Sequence, residues 1–264
     1  MIAEFHFDDL TGLAPAYERD GVAIIRNVLD SAFVAELDQH LDWLIARHPE
    51  LRPESLGHHL IANDPFWIRF LSDKRLLDLV QVLVGPDIAF FAADYIAKPP
   101  RDGRAILWHQ DANYWPLLPM EVFTVWFAVS HAGPQNGGVR FIPGSHHLGP
   151  QIHPRETESV NLLNSQVDPT VVDDSQAVDA VLEPGDVSIH HPYTLHGSEP
   201  NKSGQWRRGG SIQYMPTTTQ VTDNTWPCVF LLRGKGVDGI NHYRRKPTYR
   251  AGEHFPFIGC DAWT

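Results

Sequence analysis

Apolar residues recur at helical spacing early in the chain and at strand spacing later. After Asp30 or Ser31, either of which can cap a helix, Phe33, Val34, Leu37, Leu41, Leu44 and Ile45 form one apolar stripe. A second helix is predicted from about Lys74 to Val84, with Leu76, Leu77, Leu79, Val80, Leu83 and Val84 on its buried side. Gly85-Pro86 ends it, as a C-terminal glycine followed by proline should. The first third of the chain therefore reads as mostly helical.

After residue 86 the pattern becomes short strands between Pro/Gly turns. Strands are predicted at 88–97, 104–109, 122–130, 138–143, 187–191 and 208–215. Many short strands at this spacing point to a sandwich or barrel, not a parallel α/β sheet. Segment 122–130 is the most informative. With period 2, Phe123, Val125, Phe127 and Val129 make one apolar face, expected under the N-terminal helices. Thr124 and Trp126 fall on the other face, expected to line a cavity. Residues 154–180 are polar and weakly periodic and read as a long surface excursion that could serve as a lid.

Composition narrows the function. At 264 residues, with no repeat, linker or low-complexity segment, the chain reads as one domain over 1–264. Its parts are a helical region at about 15–86, a β core at about 87–215 and an extension at 216–264. With 21 basic and 32 acidic residues the formal charge is −11, which argues against nucleic-acid and anionic-membrane partners. Two cysteines cannot form a disulfide framework, and no apolar run approaches the ~18 residues of a membrane span. The acidic start MIAEFHFDDL lacks the basic region of a signal peptide. The expectation is a cytoplasmic protein with a small-molecule partner; oligomeric state carries no signal. The 15 histidines turn attention to metal chemistry.

Trp108-His109-Gln110-Asp111 is the central motif. On an extended segment, His109 and Asp111 point the same way and can offer a nitrogen and an oxygen to one ion. A third ligand must come from elsewhere. His196 is the leading candidate, with His190 and His191 as rivals. Two histidines and a carboxylate leave open positions, as in non-haem Fe(II) oxygenases, although catalytic zinc uses the same set. Eleven residues beyond His196 lies Arg207, followed by Arg208. One of these guanidiniums can point inward and bind a remote carboxylate through two hydrogen bonds, as 2-oxoglutarate would offer.

WHQD, NGGVRFIPGSH (136–146) and HGSEPNKSGQWRRG (196–209), in that order, resemble the phytanoyl-CoA dioxygenase family of Fe(II)/2-oxoglutarate oxygenases. The resemblance covers roughly residues 15–215. It implies a mainly β fold, a double-stranded β-helix (jelly-roll, cupin-like) core with flanking N-terminal helices. It implies Fe(II), 2-oxoglutarate and O2, with His109, Asp111 and His196 holding iron. Arg207 would bind the distal carboxylate of 2-oxoglutarate, helped by Thr124 or Ser198. Asp111 stands where halogenating relatives have Gly or Ala, so hydroxylation of a small metabolite, with release of succinate and CO2, is the implied reaction.

Tyr114, Trp115 and Trp126 lie near the motif strands and are the candidate substrate wall, with Trp108 beside them. Arg140 can meet an anionic substrate group or form a structural salt bridge. Two other readings compete: a catalytically silent jelly-roll binding module, and a zinc hydrolase on the same ligands.

Overall fold

The computed structural model describes residues 1–263. Strands β1 (Ala3–His6) and β2 (Val22–Arg26) flank helix α1 (Leu13–Asp20). Helices α2 (Ser31–Arg47), α3 (His58–Ile61), α4 (Pro65–Leu71) and α5 (Lys74–Val84) follow. The remaining strands are β3 (Ile88–Tyr95), β4 (Ile106–His109), β5 (Leu117–Leu118), β6 (Phe123–Ala128), β7 (Val139–Phe141) and β8 (Val178–Asp179). They continue with β9 (Val187–His190), β10 (His196–Ser198), β11 (Gly209–Pro216), β12 (Gln220–Val221) and β13 (Phe230–Arg233).

The two helices expected from periodicity form where predicted. The Asp30 carboxylate accepts from Phe33 N–H at 2.8 Å and starts α2. Asp73 does the same for Arg75 N–H at 2.9 Å and starts α5. Their apolar stripes pack in one core with Phe123, Val125, Phe127 and Val129, the predicted buried face of β6. A seven-stranded sheet in the order β1-β2-β9-β6-β11-β3-β13 carries that core on one side. Its other side faces a four-stranded sheet, β4-β10-β7-β8, and the two sheets make the jelly roll. All pairings in these sheets are antiparallel except β1 with β2.

Three features depart from the sequence reading. The N-terminal third contains strands, because β2 is buried almost throughout and joins β9 in the main sheet. Helices α3 and α4 occupy 58–71, inside the region read as helical but where no individual helix is delimited. The segment after 216 adds β13 to the edge of the main sheet beside β3.

His191 follows β9 and sits near His146, with ring centroids 5.2 Å apart. Burial first, then repulsion from His146, His190 and His147, pushes it down to about 4. An unfolded histidine titrates near ~6.5. Between those values the folded state binds fewer protons, so its stability is complete above about pH 6.5 and falls as pH drops toward about 4. Thermal unfolding is expected several degrees lower at pH 5 than at pH 7.5, and His191→Gln should shrink that difference. Equal pH sensitivity in the variant would contradict this.

Candidate metal and cosubstrate site

Strands β4 and β10 are antiparallel neighbours, and their register sets His196 directly opposite His109. The two rings lie side by side, 4.0 Å between centroids. Each ring is oriented by its own strand. His109 Nδ1–H donates to Leu107 O at 2.8 Å, and His196 Nδ1–H donates to Thr194 O at 3.0 Å. A carbonyl can only accept, so Nδ1 carries the proton and each Nε2 presents a lone pair. Asp111 opens a 3₁₀ turn just past β4 and returns its carboxylate to the same side. Its Oδ1 stands 3.6 Å from His109 Nε2 and 3.5 Å from His196 Nε2. These three side chains are the metal-holding group found among the described residues, their ligand atoms all within 4.8 Å of one another.

The other carboxylate oxygen is taken. Thr124 Oγ1–H donates to Asp111 Oδ2 at 2.8 Å, and His190 Nε2 lies 3.1 Å from the same atom. Thr124 and His190 are direct cross-strand partners on β6 and β9, which is why both reach one oxygen. The sequence left His190 as a rival third ligand; the structure turns it toward Oδ2, outside the three-atom group. His191 points away, toward Tyr17 and His146. Burial opposes a charge on Asp111, but the imidazoles of His196, His109 and His190 outweigh it and hold the carboxyl well below its ordinary range. Burial, then His109, hold His196 well below the ordinary histidine value. An ionised carboxylate and imidazoles with free lone pairs are the states a divalent metal requires.

Arg207 is fully buried two residues before β11, and Nε, Nη1 and Nη2 all lack a hydrogen-bond partner. Burial lowers it to about 9, so it remains cationic at neutral pH. An unpaired buried guanidinium is costly, and a carboxylate entering the cavity would offset that cost. Arg208 is excluded from this task, because it turns outward to Asp38 at 2.6 Å and Asp42 at 2.8 Å. Trp126 lies under Arg207, 5.2 Å from guanidinium carbon to ring centroid. The same indole covers Gly209, where a Cβ would meet the ring at 2.7 Å and Phe127 O at 2.5 Å. Ser198 lines the cavity and its Oγ accepts from the buried Lys98 Nζ at 2.7 Å. Thr124, expected at the cosubstrate carboxylate, gives its one hydroxyl proton to Asp111 instead.

The three metal-holding side chains, Thr124, His190, Ser198 and Arg207 open into one cavity of about 400 Å³ between the sheets. Trp126, Trp115 and Tyr114, the candidate substrate wall, line it. Arg140 does not. It lies on the outer side of β7, over the Trp108 ring and within 3.4–3.6 Å of Asp174, Asp179 and Glu199. Trp108 is also outside the cavity, its Nε1–H donating to Asp174 at 3.1 Å. Alternation along β4 explains this, since His109 points in and its neighbour must point out. From the excursion at 154–180, Leu162 and Leu163 reach the cavity wall. Sequence reasoning missed His58, Asp94 and Trp226, which also line it. Trp226 was visible only as an aromatic residue beyond the last motif.

A family model described as phytanoyl-CoA dioxygenase matches residues 17–209. The peroxisomal phytanoyl-CoA dioxygenase of Bos taurus is 29% identical over 234 residues, covering 78% of this chain and 68% of the bovine protein. A probable alpha-ketoglutarate-dependent hypophosphite dioxygenase of Stutzerimonas stutzeri is 28% identical, over 58% of this chain and 52% of that protein. Among solved structures, the non-heme monooxygenase ThoJ in its apo form superposes with a TM-score of 0.73 at 26% identity, covering 89% of this chain and 88% of ThoJ.

Proposed function

The chain belongs to the phytanoyl-CoA dioxygenase family and is an iron- and 2-oxoglutarate-dependent dioxygenase; from this premise we propose that it hydroxylates a small metabolite at the His109–Asp111–His196 centre. One observation carries the reading. A buried guanidinium with no partner, Arg207, shares a cavity with two histidines and a carboxylate whose ligand atoms converge. A zinc hydrolase would use the triad and leave Arg207 uncompensated. A silent binding module would need neither.

In this reading His109 Nε2, His196 Nε2 and Asp111 Oδ1 hold the iron, and Arg207 holds the far carboxylate of 2-oxoglutarate. The bound iron, with O2 and 2-oxoglutarate, supplies an oxidation that releases succinate and CO2 and leaves a hydroxyl on the substrate. The protein's share is orientation and exclusion of water. Leu107 and Thr194 carbonyls fix the tautomers, and Thr124 with His190 fixes the carboxylate. Trp126 and Ser198 complete the wall beside Arg207. The substrate lies against Tyr114 and Trp115 on the open side. Two free cysteines and the acidic charge suit a reducing, cytoplasmic setting, and no helix among the described residues is long and apolar enough to cross a membrane.

Thr124→Val and His190→Phe each remove one donor from Asp111 Oδ2. Each is expected to weaken Fe(II) binding about tenfold while the fold survives. Calorimetric metal titration checks this; unchanged affinity in both would show that Asp111 needs no such support. Turnover of 2-oxoglutarate to succinate by the Fe(II)-loaded protein tests the reaction itself.

A further inference from the structure

The floor of the cavity is written in the strand register. Across β3, β11, β6 and β9, one row reads Ala92, Gln213, Thr124, His190 and the next reads Asp94, Ser211, Trp126, Ser188. The metal end lies over Thr124 and His190. Two strands away, Asp94 brings a carboxylate to the opposite end of the same cavity. Neighbouring strands lie ~4.8 Å apart and alternate residues of one strand ~6.8 Å apart, so Asp94 stands about 12 Å from the metal end. Ser211 and Gln213 of β11 lie between them, and Ala92, next to Asp94 on the same face of β3, leaves space above the floor.

Asp94 is the one acid of this cavity without a task. Glu54 pairs with Arg52 at 2.9 Å, and Asp111 belongs to the metal centre. Among the described residues, no hydrogen-bond donor serves the Asp94 carboxylate. His58 Nδ1 stands 3.9 Å from its Oδ1, within ion-pair distance when the imidazole is protonated but beyond hydrogen-bond reach. The carboxylate is packed over Gly57, where a Cβ would meet Oδ1 at 2.0 Å, so any larger residue there would displace it. Its side chain is 35% exposed, reachable by a ligand yet partly shielded from water. Beside it runs an aromatic stack: His58 on Trp226 at 4.7 Å and 11°, and Trp226 on Phe91 at 4.4 Å and 14°. Trp226 Nε1–H donates to Phe91 O at 2.9 Å, which fixes the indole. Arg207 is the only Lys or Arg among the described lining residues, and the proposed function gives it to 2-oxoglutarate.

We infer that Asp94 and the Trp226 wall form the substrate's recognition site, and that the substrate carries an ammonium group about 12 Å from the metal end, joined to the oxidised carbon by a flat or slender apolar body. This rests on the dioxygenase reading, with Arg207 given to 2-oxoglutarate. A polyanionic ligand such as a coenzyme A thioester finds no free lysine or arginine among the described lining residues and meets Asp94 instead.

The test uses three probes of one shape and different charge: 4-phenylbutylamine, 4-phenylbutanol and 5-phenylpentanoate. Each is titrated calorimetrically into the anaerobic Fe(II)/2-oxoglutarate protein. The amine is expected to bind tightest and the carboxylate weakest. Asp94→Asn should weaken the amine about fivefold and leave the alcohol unchanged. Trp226→Leu should weaken all three alike. Equal binding of amine and carboxylate, equal response of the probes to Asp94→Asn, or failure of all three to bind overturns the inference. The iron–2-oxoglutarate absorption band, followed in the same samples, separates this from failure of the dioxygenase reading: the band must persist in both variants.

Discussion

Arg207→Ala is expected to raise the dissociation constant for 2-oxoglutarate by about 30-fold to several thousand-fold, or about 2–5 kcal/mol. The guanidinium is fully buried and has no partner for any of its three nitrogens, so a carboxylate reaching it gains charge-assisted hydrogen bonds in a dry setting. The same geometry predicts an opposite effect on the ligand-free protein. Removing an uncompensated buried charge should leave its melting temperature unchanged or raise it. The stabilisation that wild type gains from added 2-oxoglutarate should then vanish. Melting curves with and without 2-oxoglutarate, in the presence of the metal, check both halves. Arg208→Ala is the control: it breaks pairs with Asp38 and Asp42 on the surface and should leave 2-oxoglutarate affinity intact. The reverse result would move the cosubstrate site by one residue.

Asp111→Ala is expected to abolish hydroxylation and to weaken Fe(II) binding at least about 100-fold, since it removes the only anionic ligand of the triad. Its Oδ1 is the atom toward which both Nε2 lone pairs converge. The variant should fold, because the imidazoles of His109 and His196 keep their carbonyl partners on Leu107 and Thr194. Circular dichroism together with metal titration separates loss of the site from loss of the fold. Retained tight Fe(II) binding would show that His190 substitutes as a ligand, contrary to its placement on Oδ2.

What the sequence disclosed follows the strength of its periodic signals. The α2 and α5 stripes and the two faces of β6 were legible because each element has one buried side against a distinct environment. Strand β2 was not, because VAIIR is buried on both faces and offers no alternation. Helix α4 hid for the same reason, with Pro65, Phe66, Trp67, Ile68, Phe70 and Leu71 all buried. His109, Asp111 and His196 could be proposed from i, i+2 geometry and a motif. Arg207 was preferred to Arg208 on the family resemblance alone; the physical difference lies in the direction each side chain takes just before β11, which periodicity does not give. Arg140 lies inside the NGGVRFIPGSH motif, yet alternation on β7 sends it out to Asp174 and Glu199. Asp94 and Trp226 carry no local signal, because the register of β3 with β11 and the return of the C-terminal segment bring them to the cavity.

The most direct test of the account is an anaerobic titration of the metal-free protein with Fe(II) and then 2-oxoglutarate, watching for a visible metal-to-ligand charge-transfer band. The account predicts a band that grows to one equivalent of each, is absent in His196→Ala, and needs far more 2-oxoglutarate in Arg207→Ala. Tight metal binding with no band, in wild type, would contradict it and favour a hydrolytic zinc centre on the same three ligands.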